Sequence, residues 1–135
     1  MARQPRGFRN NNPLNIEYSK NNNWDGQTGV EPKGRFAQFS HMKYGVRAGA
    51  KLLKRYMNTY GLRTVHGIIN KWAPAVENDS NHYATTVAKR MGVDPFELIH
   101  VEDINDLIYQ MVKFECGEYL PEDLIDEGCA LAGIA

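Results

Sequence analysis

From residue 40 onward, apolar side chains recur at three- and four-residue spacing, whereas residues 3–39 carry no such period. Tyr44, Ala48, Leu52, Leu53 and Tyr56 mark one helix face, with Ser40 as the expected N-cap and Gly61 as the limit. Thr64 is placed to cap a shorter helix through Val65, Ile68, Ile69 and Trp72, which Pro74 stops; this pattern puts Trp72 in the core. A further helix is expected over residues 81–91, closed by Gly92, and Asp94-Pro95 should open a short helical turn. The next runs from Asp103 to about Glu115 and ends at Gly117; the last runs from Pro121 to about Leu131. The opening segment is different. Residues 3–39 hold two Asn runs (10–12 and 21–23), four Gly and three Pro, the composition of loops and turns. Within it, residues 16–18 and 35–39 are short enough to be strands, and the imperfect alternation of Phe36 and Phe39 predicts a small irregular hairpin. The expected fold class is α+β, mostly α, in one domain over residues 1–135.

Length agrees with that reading, since 135 residues can bury roughly two-thirds of their unfolded surface without a disulfide or metal staple. Cys116 and Cys129 are expected to be reduced thiols. His41, His66, His82 and His100 have no metal-ligand spacing, so neither a metal nor another cofactor is expected. No apolar stretch approaches the ~18 residues of a membrane span. The basic, polar residues 1–12 give no sign of a secretory signal, and synthesis in the cytoplasm is expected. Net charge is zero yet polarised: residues 1–60 hold 11 Lys/Arg against 3 Asp/Glu, and residues 61–135 hold 5 against 13. The basic half is either a solvated face or a surface for an anionic polymer; without a nucleic-acid-binding motif, nucleic acid is not an expected partner.

One helix carries a carboxylate where its pattern calls for an apolar residue. Ile104, Leu107, Ile108, Met111 and Glu115 follow the spacing i, i+3, i+4, i+7, i+11, a single helix face. Burial disfavours the ionised form of Glu115, and so does the partial negative charge of the helix C-terminus. A carboxyl kept protonated near neutral pH is what protonation of a glycosidic oxygen requires. The competing arrangement is a Glu at a frayed helix end, turned to water.

The blocks RGFRNNNPLNIEY (6–18), Trp24-Asp25-Gly26, FAQFSHMKYGVRAGAKLL (36–53), WAPAVENDSNHYATTVAKRMGVDP (72–95) and MVKFECGEYLPEDLIDEG (111–128) occur in the order found in a group of phage and prophage proteins. In this the chain resembles small peptidoglycan-degrading or virion-structural phage proteins. In that family the last block usually reads His-Glu-Asn-Gly, where this chain has Phe114-Glu115-Cys116-Gly117, and Glu17 stands where Arg is usual. The family in turn is similar to the lysozyme and lytic-transglycosylase superfamily with its chain order rotated, as a circular permutation would produce.

The resemblance implies a lysozyme-like domain that cuts peptidoglycan glycan strands, with Glu115 as the catalytic acid. Asp25 and Glu31 are the candidates for a second carboxylate, although each fits a solvated turn as well. Lytic transglycosylases work with a single Glu, the substrate's acetamido group assisting. Tyr83 is a candidate for meeting that acetamido group or the developing positive charge, or else a core residue. Asn10, Asn11, Asn12 and Asn15 are candidates for sugar hydroxyls, or for bonds that hold their own loop. Trp24 suits stacking on a pyranose, and Glu77, in a shared block, either contacts substrate or complements a helix N-terminus. A holin or a place in the virion is a compatible partnership, with action at the periplasm or cell wall. Two other functions stay open: a non-catalytic virion or host-interaction module on the same fold, and, more weakly, a nucleic-acid binder on the basic half.

Overall fold

The structure is a computed structural model that describes residues 4–74 and 79–134. Among them the fold is mostly helical α+β, with six α-helices and one two-stranded antiparallel hairpin. In chain order these are α1 (Arg6–Arg9), β1 (Gln27–Val30), β2 (Ala37–Phe39), α2 (Met42–Asn58), α3 (Val65–Trp72), α4 (Ser80–Met91), α5 (Ile104–Cys116) and α6 (Glu122–Leu131). No helix of the described residues is long and apolar enough to cross a membrane.

The helices follow their apolar stripes. Val46, Ala50, Leu53 and Met57 of α2, Ile68 and Ile69 of α3, and Ile104, Leu107, Ile108 and Met111 of α5 are all buried in one core. Close helix packing depends on two glycines. A Cβ on Gly45 of α2 would run into the carbonyl of Asn11, and one on Gly128 of α6 would run into Val46. These contacts seat the Asn-rich loop and α6 directly on α2. α6 brings acidic residues to that basic helix, with Lys43 Nζ 3.6 Å from Glu127.

Capping corrects several expected boundaries. α2 begins after His41, not Ser40, because the His41 imidazole accepts the Lys43 N–H at 3.1 Å; it ends at Asn58, short of Gly61. The Thr64 cap of α3 forms as expected, its hydroxyl accepting from Gly67 N. Asp79 caps α4 one residue early, and Gly92 and Gly117 close α4 and α5 in the left-handed conformation. Asp94-Pro95 makes a turn rather than a helix: the Asp94 carboxylate accepts the Phe96 N–H at 2.9 Å, which competes with helical bonding.

The first forty residues differ most from expectation. Residues 6–9 form a short helix that the turn-rich composition conceals. The hairpin is β1 with β2, and residues 16–18 contribute only one isolated bridge, Glu17 with Phe36. β1 reads QTGV and lies half exposed, so no alternating apolar pattern marks it.

The loop between α1 and the hairpin is organised by asparagines. Asn12 is fully buried; its Nδ2 donates to the carbonyls of Ile16 and Ala37, each at 2.9 Å, and its Oδ1 accepts from Ile16 N at 2.9 Å. Asn11 Nδ2 donates to the Phe39 carbonyl at 3.0 Å. Asn11 and Asn15 both adopt positive φ, 52° and 53°, a region that asparagine tolerates better than most residues. Replacing Asn12 by Ala removes three hydrogen bonds from a closed interior, leaving the Ile16 carbonyl only its bond from Ala37 N. The expected loss is about 2–4 kcal/mol of unfolding free energy in urea titrations, and a loss below about 0.5 kcal/mol contradicts this role for Asn12.

Candidate active site

A cleft of about 700 Å³ opens between the helical body and the hairpin side of the molecule. Leu14, Asn15, Ile16 and Glu17 line one wall, continued by Arg35 and Phe36 of the hairpin. Leu52 and Tyr56 come from α2, and Lys71 and Trp72 from the end of α3. Asp79, His82 and Tyr83 at the start of α4, with Phe114 and Glu115 at the end of α5, complete it. A volume of this order suits a small ligand or a few units of a polymer.

Glu115 is the point where these segments meet. Its Oε1 accepts from Asn15 Nδ2 at 3.1 Å; its Oε2 accepts from Tyr83 Oη at 2.8 Å and from Trp72 Nε1 at 3.2 Å. Three donors from three separate segments therefore fix one carboxyl. The apolar stripe of α5 runs directly into it, and burial pushes the Glu115 carboxyl up from its ordinary value. The bonds from Tyr83, Asn15 and Trp72 pull the other way without cancelling that shift. Tyr83 is almost fully buried, and burial pushes its phenol well above the usual range, reinforced by the Glu115 charge, so it remains a donor. The Phe114 ring stacks on Tyr83 at 4.0 Å and locks its orientation. Cys116, next along the chain, is pushed up to about 12 by burial and by the neighbouring Glu115 and Glu118, so it stays a thiol.

Chemically, this is a carboxyl whose hold on its proton is strengthened by burial, set in an open cleft and fixed by three donors. Among the described residues no group of three or more His, Cys, Asp or Glu is arranged to hold a metal.

The other candidates lie in different places. Tyr83 and Asn15 sit on Glu115. Asn10, Asn11 and Asn12 do not line the cleft; their amides hold the loop and hairpin, Asn10 donating to Glu31 at 3.2 Å and accepting from Gln38. Glu31 is buried away from the cleft lining in a mesh of its own. Arg6 donates to both its oxygens, at 2.8 and 2.7 Å, and the backbone N–H groups of Arg35 and Phe36 add two more bonds. Asp25 is exposed, outside the cleft lining, and paired with Arg47 at 3.2 Å. Trp24 is half-buried against the core and also outside the cleft lining. Glu77 lies outside the described residues.

Sequence reasoning missed Trp72, which it assigned to the core. The indole sits at the last position of α3, where the buried stripe reaches the cleft, and its N–H finds its acceptor in Glu115. The available signal was that a buried indole needs an acceptor for its N–H. The cleft residues Glu17, Arg35, Lys71, His82 and Phe114 were also unassigned. Glu17 and Arg35 pair with each other at 2.7 Å on the rim.

The Arg6 hydrogen bond, together with bonds from Phe36 N and Asn10, holds the Glu31 carboxyl at about 2, against 4.5 ordinarily, although burial opposes the shift. Its contribution to stability is therefore fully present above pH 4.5 and is lost as the pH falls towards 2. Denaturant titrations of wild type and Glu31→Gln are expected to show the variant less stable at neutral pH, with the gap closing through that acid range. A gap that does not change with pH contradicts an ionic role for Glu31.

No family model matches the chain. It is similar to Protein P5 of Pseudoalteromonas phage PM2, with 37% identity over 114 residues that cover 83% of this chain and 71% of that protein. Similarity of that depth and coverage is a family relationship: the chain belongs to the family of the phage PM2 Protein P5.

Proposed function

We propose that this chain cleaves the glycan strands of bacterial peptidoglycan, with Glu115 as the acid. The observation that carries this reading is the Glu115 carboxyl itself: set in an open cleft, shifted upward by burial, and fixed by Asn15, Trp72 and Tyr83. A carboxyl in that state donates a proton to the bridging oxygen between two sugars, and the bond from the anomeric carbon to that oxygen then breaks. The order of the elements supports a circularly permuted, lysozyme-like arrangement within one domain. The relationship to a phage protein supports a host cell wall as the place of action, reached from the cytoplasm or carried in the virion.

The positions of Asp25 and Glu31 favour a single-carboxyl route. Neither lines the cleft, and the other described carboxylates that do are Glu17, paired with Arg35, and Asp79, which caps α4. On this route the substrate's acetamido oxygen supports the positive charge at the anomeric carbon. Glu115, now a carboxylate, takes the proton from the sugar's own C6 hydroxyl, whose oxygen closes on the anomeric carbon. The acid is restored and a 1,6-anhydro end is left. Tyr83 orients the carboxyl in both halves, and the partly exposed Phe36 offers apolar surface to a sugar ring.

Muropeptide release from purified sacculi by wild type and Glu115→Gln tests the reading. The substitution keeps the shape and removes the proton donor, so release is expected to fall by at least about 100-fold. Wall binding by both proteins, without release by either, contradicts cleavage and leaves a binding module on the same fold.

A further inference from the structure

Asn15 carries two features that holding its loop does not explain. Its φ of 53° places a non-glycine residue in the left-handed region, anchored by its N–H to the Asn12 carbonyl at 3.0 Å. Its amide spans the cleft wall: Nδ2 donates to Glu115 Oε1 at 3.1 Å, while Oδ1 is buried with no hydrogen-bond partner among the described residues. The Cys116 thiol, which lies against Gly7 as Oδ1 does, is engaged with the Pro13 carbonyl at 3.3 Å. Space beside Oδ1 exists because α1 has a glycine there. A Cβ on Gly7 would stand 3.2 Å from Oδ1, 3.0 Å from Cys116 Sγ and 2.8 Å from the Asn12 carbonyl oxygen.

A buried acceptor without a donor is costly, so this orphan calls for a use. The two ends of an amide have nearly the same shape and opposite hydrogen-bonding character. In the orientation present, Asn15 gives a donor to Glu115, which matches a carboxylate. Turned over about its last bond, it gives an acceptor, which matches a carboxylic acid protonated on Oε1. The other oxygen, Oε2, already receives two donors from Trp72 and Tyr83, so Oε1 is where a proton fits. The turned amide brings its N–H groups to the side on which Gly7 and the Asn12 carbonyl oxygen lie.

We propose that Asn15 is a positioning residue whose side-chain amide follows the proton on Glu115, accepting the acid's O–H through Oδ1 and donating Nδ2–H to the carboxylate. Its purpose rests on the reading of Glu115 as the acid; the paired states of the two side chains do not. In the resting site the amide holds the Oε1 proton in one orientation. When the glycosidic oxygen takes that proton, the amide turns and stabilises the carboxylate left behind until the proton returns from the C6 hydroxyl.

Other titratable or charged groups around Glu115 are Tyr83, His82 and Asp79 on the α4 side, Lys71 on α3, Tyr56 on α2, and Glu17 and Arg35 on the opposite wall. Cys116 and Glu118 follow it in the chain. Tyr83 and Cys116 are pushed upward by burial, and only Asn15, Trp72 and Tyr83 hydrogen-bond the carboxyl among the described residues.

The test is an NMR titration of the full chain, following the Asn15 side-chain amide and the Glu115 carboxyl carbon in the wild type, with Glu115→Gln as control. The expected result is one shared midpoint in wild type and no such midpoint for the Asn15 amide in the control. An Asn15 amide that stays unchanged while Glu115 titrates overturns the proposal, whatever the enzyme does. Asn15→Gly, which accepts positive φ and removes the amide, is expected to move the Glu115 midpoint upward, since the charge-assisted bond to the carboxylate outweighs the neutral bond to the acid that is lost with it. The alkaline limb of the pH profile for muropeptide release is expected to move with it. Shared titration in a wild type that releases no muropeptides supports the Asn15 proposal while sinking glycan cleavage.

Discussion

A carboxyl group that is partly withdrawn from water must be satisfied by the protein around it, and the Glu115 carboxyl is satisfied by three segments far apart in the chain. Asn15 comes from the loop before the hairpin, Trp72 from the end of α3 and Tyr83 from the start of α4. Much of the fold's local detail exists to deliver those donors. Gly45 lets the Asn-rich loop lie on α2, and Gly7 leaves space for the Asn15 amide beside α5. The Thr64 and Asp79 caps set where α3 and α4 begin, and the Gly117 turn takes the chain away from the cleft after α5.

Burial and hydrogen bonding act on Glu115 in opposite directions, and burial prevails. That balance matters for chemistry. An acid that is too weak holds its proton through the transition state, and one that is too strong is already ionised at working pH. Glu31 illustrates the other outcome on the same fold. Its charge partner Arg6, with the Phe36 backbone N–H and the Asn10 amide, drives it down to about 2 against the effect of burial, which makes it a structural anion holding α1 to the hairpin. The two carboxyls thus shift in opposite directions because one has a cationic partner and the other is buried among neutral donors.

The parts of the fold that were legible in the sequence are those whose signal is periodic. The stripes of α2, α3 and α5, the Thr64 cap and the Gly92 and Gly117 ends are recoverable because apolar spacing and capping chemistry are local. β1 was not legible, since QTGV lies half exposed and is defined by its pairing with β2 rather than by its own pattern. The asparagines were ambiguous for a related reason. Asn12 and Asn15 have the same donors and acceptors, and only tertiary placement decides that one binds backbone and the other binds Glu115. Glu115 itself stood out because a carboxylate on an apolar stripe violates the pattern, and Trp72 did not because it obeys one.

The central claim is that one buried carboxyl performs both halves of a glycan-cutting reaction, and the chemistry of the product ends tests it most directly. Mass spectrometry of the fragments released from sacculi is predicted to find 1,6-anhydro ends, one water lighter than hydrolysis products. Reducing ends in their place would contradict the single-carboxyl account and require a second group to activate water.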